Sequence, residues 1–597
     1  MMNPLAHGLR QLGTIEPSHY ITIIFTNKKL VLSTLNSMQF GSIVWLVAQF
    51  FLGTILSDHP SVNHGTCFKK YPDLYEASIE ELQFGLERGD YTSVDLVKAY
   101  LARIDEVNYK GANLCAVLEI NPNALGQAAA LDLERQSKGK RSPLHGIPIL
   151  IKDNISIQAS DGNTTAGSYA LLGAIVPGDA TVISKLRKAG AVLLGKTNLS
   201  EWSYFRDYSL DYGWSARGGQ TKNPYYPGGS PSGSSSGNGV AMAVGLAAAS
   251  VATETDGSLV SPSSYNNVVG IKPTVGLTSR AGVIPGSSHQ DSVGPITRSV
   301  ADAAAILSII AGRDDKDNYT STAPEVIPDY TDYLDVNAMK GKRFGVPRVA
   351  FTNDTRTGNH PSINIEFNKA LAIIRSMGGI IVDPADLPSA QELSENRRNE
   401  MFVLKIDLKA DLNQYLPTLG STNVTSVAGI IAYNNAHKDL EKPGGYTGQE
   451  LLISAESTNG YNSTYYATLH KNYERSRTRG IDATLKAHAL DALVLPTNGI
   501  TTYVAAIAGY PIVTVPLGFH PEDTTPGNAG PHTIFPAPGI PFGLAFLGTA
   551  YSEPSLISFA YAYEQQTHTR LGRRAYPLAI PKTQLDSRAR QNEPLHV

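Results

Sequence analysis

The chain reads as an α/β protein with a mostly parallel sheet covered on both faces by helices. Two features carry that reading. Short strands that are apolar throughout, such as 147–151 (IPILI) and 492–495 (ALVL), suit a sheet buried on both sides. They alternate with amphipathic helical segments, the pattern of βα units. A hydrophobic share of 42% against a charged share of 17% marks a globular chain rather than a disordered one. The length of 597 residues accommodates one large α/β domain with insertions.

Residues 1–70 read as an N-terminal extension. Lys28 and Lys29 precede the apolar run 43–56 (IVWLVAQFFLGTIL), which Ser57 and Asp58 close. The run is short for a membrane span, which needs about 20 apolar residues. It matches the core of a secretory signal, and Met38 just upstream is an alternative start. The expectation is a protein of the secretory pathway or secreted, with cytoplasmic residence as the alternative. No stable membrane association is expected once such a signal is removed. Sequons at Asn163, Asn318, Asn353, Asn423 and Asn462 agree with a glycoprotein. Cys67 and Cys115 are the two cysteines, too few for a disulfide scaffold or a Cys-based zinc site. One disulfide or two free thiols both fit. A net charge of −3 gives no overall basic balance, so nucleic acid is not an expected partner.

From residue 72 the elements follow in order. Ser78-Ile79-Glu80-Glu81 is a capping box that opens a helix pair over 72–110, broken at Gly89-Asp90. Leu96, Val97, Tyr100, Leu101, Ile104 and Val107 share one helical face. A strand at 116–120 and a helix at 123–136 precede the strand 147–152, which ends in Lys152. A helix over 180–189 and a strand at 191–195 come next. The stretch 228–262 has Ser/Gly knots at both ends of an Ala/Val run that can pack as a helix and a strand. Short β-like pieces lie between 271 and 284, and Ser299 caps a helix over 300–310. Strands at 343–346 and 380–382 flank a helix at 363–376. Residues 385–480 form a helical, loop-rich insertion. A helix at 481–488, strands at 492–495 and 512–517 and a helix at 556–566 complete the domain, assigned to 71–580 with a tail at 581–597.

Three groups stand out chemically: Lys152, the pair Ser234/Ser235, and Ser258. A lysine at the end of an apolar strand is partly desolvated, which lowers its pKa and lets it act as a base. Read from spacing alone, Lys152 equally well emerges to solvent and pairs with Asp153. The serines equally well form plain turns or caps.

The segments HGIPILIKDN (145–154), GSSSGNG (233–239), TETDGSLVSP (253–262) and VVGIKPTVGLTSR (268–280) resemble the amidase signature family, in that family's order. TNLSEW (197–202), GPITRSVADAA (294–304), AGYPIVTVPLGF (508–519) and GLAFLGTAYSEPSL (543–556) extend the resemblance over most of the chain after the apolar run. It implies an α/β/α fold with a central mixed sheet and a Ser-cisSer-Lys triad. Lys152 would be the base, Ser234 the bridging serine and Ser258 the nucleophile. Ser235 would be a supporting hydroxyl, and the backbone of Thr255, Asp256, Gly257 and Ser258 would form the oxyanion hole. The implied activity is hydrolysis of an amide through an acyl-enzyme, on a small-molecule or peptide amide, with no metal or organic cofactor.

Val260 stands where many members carry an arginine, which speaks against a glutamine-using transamidase component. TETDGS together with SHQD (288–291) resembles the peptide amidase branch and fungal-type relatives, and implies C-terminal carboxamides as substrates. One alternative is an α/β-hydrolase elbow, Gly233-Ser234-Ser235-Ser236-Gly237, with Ser235 as nucleophile and His532 as base. It lacks the apolar strand that should precede it. The other alternative is an inactive amidase-like binding subunit. Oligomeric state is not legible.

Overall fold

The structure is a computed structural model and describes residues 24–26, 29–31, 71–352, 359–395, 397–422, 424–497 and 501–585. The apolar run 43–56, Met38, Cys67, the sequons at Asn353 and Asn423 and the tail beyond 585 lie outside the described residues. The chain divides into two compact units, Met1–Phe68 and Lys69–Val597. In the first, strands Ile24–Thr26 and Lys29–Val31 pair antiparallel.

The second unit is built on an eleven-stranded sheet. Its strands are β1 (Val117–Ile120), β2 (Pro148–Lys152), β3 (Val192–Thr197), β4 (Ala249–Glu254), β5 (Val269–Lys272) and β6 (Ser292–Thr297). The later part of the chain adds β7 (Arg343–Gly345), β8 (Ile380–Val382), β9 (Ala492–Pro496), β10 (Ile512–Phe519) and β11 (Pro541–Leu547). The spatial order is β8-β7-β9-β11-β10-β5-β6-β4-β2-β3-β1.

The sheet is mixed. Parallel pairing is found in the groups β8-β7-β9 and β4-β2-β3. The remaining neighbours pair antiparallel, so the antiparallel share is larger than the alternation of strands and helices suggests. The reason lies in β6 and β11, which follow loops rather than crossover helices. An antiparallel neighbour needs no crossover. Every residue of β2, β3, β4, β5 and β6 is buried, as expected of strands covered on both faces.

Helix α1 (Ile79–Glu87) has the reciprocal capping box of Ser78 and Glu81, and α2 (Ser93–Ile104) has a second one from Thr92 and Asp95. The Ala/Val-rich stretch forms α3 (Ser236–Ala243) and then β4. A short helix, α4 (Val260–Tyr265), follows β4. Ser299 caps α5 (Val300–Ile310), its side chain accepting from Asp302 N–H. The insertion 385–480 is mainly helical and includes α6 (Arg397–Tyr415) and α7 (Ser463–Tyr473). Two further helices, α8 (Thr501–Ala508) and α9 (Glu553–Thr567), lie among the last strands.

Two main cores result. The large one surrounds the sheet. A smaller one joins Leu404, Leu408 and Leu412 of α6 to Leu171, Trp202, Phe205 and Ile284, and so packs the insertion over one edge of the strands. No described helix is long and apolar enough to cross a membrane.

Candidate active site

The parallel pairing of β2 with β4 sets the site. Ile149 lies opposite Ala249 and Ile151 opposite Val251, so both strands end at the same edge. Ligands of α/β sheets collect outside such carboxyl ends. Lys152 closes β2, and β4 runs into the turn 255–258 before α4.

Lys152 does not emerge to solvent. Its side chain is wholly buried, and Nζ donates to Ser234 Oγ at 2.8 Å and to the Thr253 carbonyl at 3.2 Å. Burial is the largest influence on its pKa and brings it down to about 7, against the opposing pull of Asp291 and Glu254. Asp153, the alternative partner, accepts instead from the Thr165 hydroxyl at 2.5 Å and from Gly167 N–H at 3.0 Å.

Ser234 follows a cis peptide bond from Gly233. Its carbonyl accepts from Ser200 N–H at 3.0 Å. The next residue ties the two knots together: Ser235 N–H donates to the Ser258 carbonyl at 2.9 Å, and Ser235 Oγ donates to the Thr253 carbonyl at 3.0 Å. The start of α3 lies close to its neighbours. A Cβ at Gly237 would stand 2.2 Å from the Ala116 carbonyl oxygen, so only glycine fits.

The second knot is a turn around Gly257, whose φ of 74° lies in the left-handed region that favours glycine. Among the described residues the N–H groups of Asp256, Gly257 and Ser258 have no acceptor within the protein. The side chains around them are tied down. Thr255 Oγ1 donates to Asp291 at 2.5 Å, and Thr502 Oγ1 donates to Asp256 at 2.7 Å. Glu254 accepts from Leu259 and Val260 N–H at 2.8 and 2.9 Å.

Residues 255–258 and Gly233 open onto a cavity of about 830 Å³. Tyr204, Tyr208 and Tyr212 form one wall, with the rings of Tyr204 and Tyr212 stacked at 4.1 Å. Trp202, Ser203 and Tyr204, at the start of this wall, all have positive φ, an unusual backbone run. Helix α6 supplies another part of the lining, with Arg397, Arg398, Glu400, Met401 and Leu404. Arg397 lies 3.8 Å from the Asp256 carboxylate and over the Tyr503 ring. Glu400 is buried, which holds its carboxyl well above the usual range, with Asp256 adding to the effect.

The elbow alternative does not assemble. No strand runs directly into Ser235, since residues 221–235 form none, and Ser235 is buried and does not line the cavity. His532 bonds Asp211 at 2.8 Å and borders a different cleft. The sequence reading misses Asp291, which braces Thr255, and the α6 residues. SHQD contains Asp291 in plain view, but only contacts made in the fold reveal its task. Among the described residues no three His, Cys, Asp or Glu side chains cluster as metal ligands.

A family model described as Amidase matches residues 95–503. The chain belongs to the amidase signature family. Among its relatives in that family is an amidase-family protein of Arthroderma benhamiae, 42% identical over 84% of this chain and 87% of its own length. Another, from Arabidopsis thaliana, is 41% identical over 83% of this chain and 91% of its own. The crystal structure of the native peptide amidase from Stenotrophomonas maltophilia superposes with a TM-score of 0.76 at 43% identity, covering 86% of this chain and 100% of that one. As a member of this family the protein is an amide-hydrolysing enzyme, with an α/β fold around the mixed sheet.

Proposed function

We propose that the amidase works through Ser258 as nucleophile, Ser234 as proton relay and Lys152 as base. The observation that carries this reading is the 2.8 Å contact between the buried Lys152 amine and Ser234, beneath a cavity floor on which Ser258 lies. A serine hydroxyl has a high pKa and needs a base to become nucleophilic. Neutral Lys152 takes the proton by way of Ser234 as Ser258 Oγ bonds to the amide carbonyl carbon. The carbonyl oxygen becomes an oxyanion facing the free N–H groups of the turn 255–258. One such donor is typically worth about 3 kcal/mol in the transition state. The same relay returns the proton to the leaving nitrogen as the C–N bond breaks. Water then attacks the acyl-enzyme ester, giving a carboxylate and the free Ser258. Ser235 supports the arrangement by joining Thr253 to the carbonyl of Ser258.

The substrate we propose is a peptide or amino-acid carboxamide. A cavity of about 830 Å³ has room for more than a small aliphatic amide. The tyrosine wall offers apolar area, and Arg397, Arg398 and Glu400 of α6 and the Thr502 hydroxyl offer hydrogen bonds to a peptide backbone. The 43% identity to a peptide amidase supports the same class.

A serine-directed fluorophosphonate, followed by peptide mapping, tests the assignment. Label on Ser258 is the expected result, and label on Ser235 overturns it. A panel of peptide amides, aliphatic amides, aryl amides and matching esters, run on wild type and Ser258→Ala, tests the substrate class. Peptide amides should have the highest kcat/KM, and the variant should turn over none of them.

A further inference from the structure

Helix α6 does more than wall the cavity. Glu400, Asp407 and Asp411 lie seven and four residues apart, so they share one helical face. All three reach the same loop, residues 286–291. Glu400 accepts from Gln290 Nε2 at 2.9 Å. Asp407, fully buried, accepts from Ser287 Oγ at 2.6 Å and from His289 Nδ1 at 2.9 Å. Its other oxygen takes the Tyr465 hydroxyl of α7 at 2.5 Å. Asp411 accepts from Ser288 N–H at 2.7 Å. Arg397, Met401 and Leu404, on the adjoining stripe of the same helix, line the cavity.

The loop in turn holds the turn that follows β4. Asp291 accepts the Thr255 hydroxyl at 2.5 Å while its second oxygen takes Gly286 and Ser287 N–H at 2.7 and 3.0 Å. Gln290 Nε2 donates to the Thr255 carbonyl at 3.3 Å. Thr255 is thus held by its hydroxyl and its carbonyl, in both cases from this loop. Arg280 adds a further tie by donating to the Ser288 carbonyl at 2.5 Å.

We infer that Asp407 is a positioning residue for the reaction: through Ser287 and His289 it fixes the loop 286–291, and through Asp291 and Gln290 the loop fixes Thr255 at the head of the oxyanion turn. Asp407 touches neither the cavity nor the nucleophile. Its effect reaches the chemistry through a chain of hydrogen bonds of 2.5 to 3.3 Å, in which Asp407, Ser287, Gln290 and Asp291 are buried and His289 is partly so. Å-level displacement of reacting groups costs on the order of 10²-fold in rate, so a modest shift of the loop is enough to matter. The inference rests on the proposed role of residues 255–258.

The test compares Asp407→Asn with wild type, with rates expressed per active site titrated by a fluorophosphonate. A peptide aldehyde serves as second probe, because its hemiacetal oxygen needs the same N–H donors as the oxyanion. The expected result is a kcat lower by at least about tenfold with KM changed by less than about threefold, and a parallel loss of aldehyde affinity. A purely structural role predicts a lower melting temperature and fewer titratable sites, with kcat per site and aldehyde affinity unchanged. That outcome overturns the inference. Should Asp407→Asn not fold, the double variant Ser287→Ala/His289→Gln removes the same two grips from the side of the loop. It should show the same split, and an unchanged kcat per site there overturns the inference equally. Ser258→Ala separates the two readings. Activity surviving in Ser258→Ala removes the proposed mechanism, whereas an inactive Ser258→Ala beside a fully active Asp407→Asn removes only the positioning role.

Discussion

Lys152 shows how one buried side chain sets the working pH. A lysine in water has a pKa of about 10.4 and is protonated at neutral pH, useless as a base. At the end of β2 it is wholly buried, and its pKa falls to about 7. Asp291 and Glu254 keep it from falling further. The amine is therefore neutral, and able to accept a proton, above about pH 7 and charged below it. The rate should follow. We expect kcat/KM to rise roughly tenfold per pH unit on the acid side of that value and to level off above it. Lys152→Arg should lose this assistance at every pH, since a guanidinium stays protonated throughout this range. The loss should be about 10²- to 10⁴-fold, the usual worth of acid–base assistance. A folded Lys152→Arg enzyme that regains activity on raising the pH would show that the base lies elsewhere.

The turn 255–258 is held between two elements, and Glu254 is the joint. It is the last residue of β4, yet its carboxylate caps α4 by accepting from Leu259 and Val260 N–H. Negative charge at a helix N-terminus is favourable, and the buried N–H groups need an acceptor. Glu254→Ala leaves both without one, at a cost of about 2 kcal/mol or more. Glu254→Gln keeps an acceptor oxygen. Calorimetry should give a clearly lower melting temperature for the alanine variant and less than half that loss for glutamine. Equal losses would mean that the charge, rather than the acceptor, is what holds the turn. Elements of this kind are readable from the sequence where pattern and caps agree, as in α1 with its capping box and β2 with its apolar run. Strand β6 is not readable. It carries Gly294 and Pro295 mid-strand, which normally argue against a strand. The fold tolerates them because a Cβ at Gly294 would stand 2.0 Å from the Ile271 carbonyl oxygen. In addition, β6 pairs with β5 only through Ile296 and Thr297, so Pro295 has a ladder partner on one side alone. Strand β11 and helix α8 escape the sequence reading as well, since their short apolar runs carry no period that tells strand from helix.

The site is half legible for a related reason. Lys152, Ser234 and Ser258 sit in motifs whose order along the chain is itself a signal. Asp291 owes its task to the return of the loop 286–291 onto Thr255, and Glu400 and Asp407 owe theirs to the packing of the insertion against that loop; no spacing in the sequence encodes either. What the whole chain needs for function is then a question of which parts carry these contacts. All eleven strands of the sheet, its hydrophobic cores and every residue lining the cavity belong to the unit Lys69–Val597. The apolar run 43–56 belongs to the other unit, Met1–Phe68, and we propose it as a signal core that the mature enzyme lacks. A protein beginning at Lys69 should accordingly fold and work. Its kcat/KM on a peptide amide should stay within about twofold of the full chain. Its melting temperature should stay within about 2 °C. A truncated protein that binds fluorophosphonate at Ser258 but has lost most of its turnover would instead assign the first 68 residues a part in the reaction.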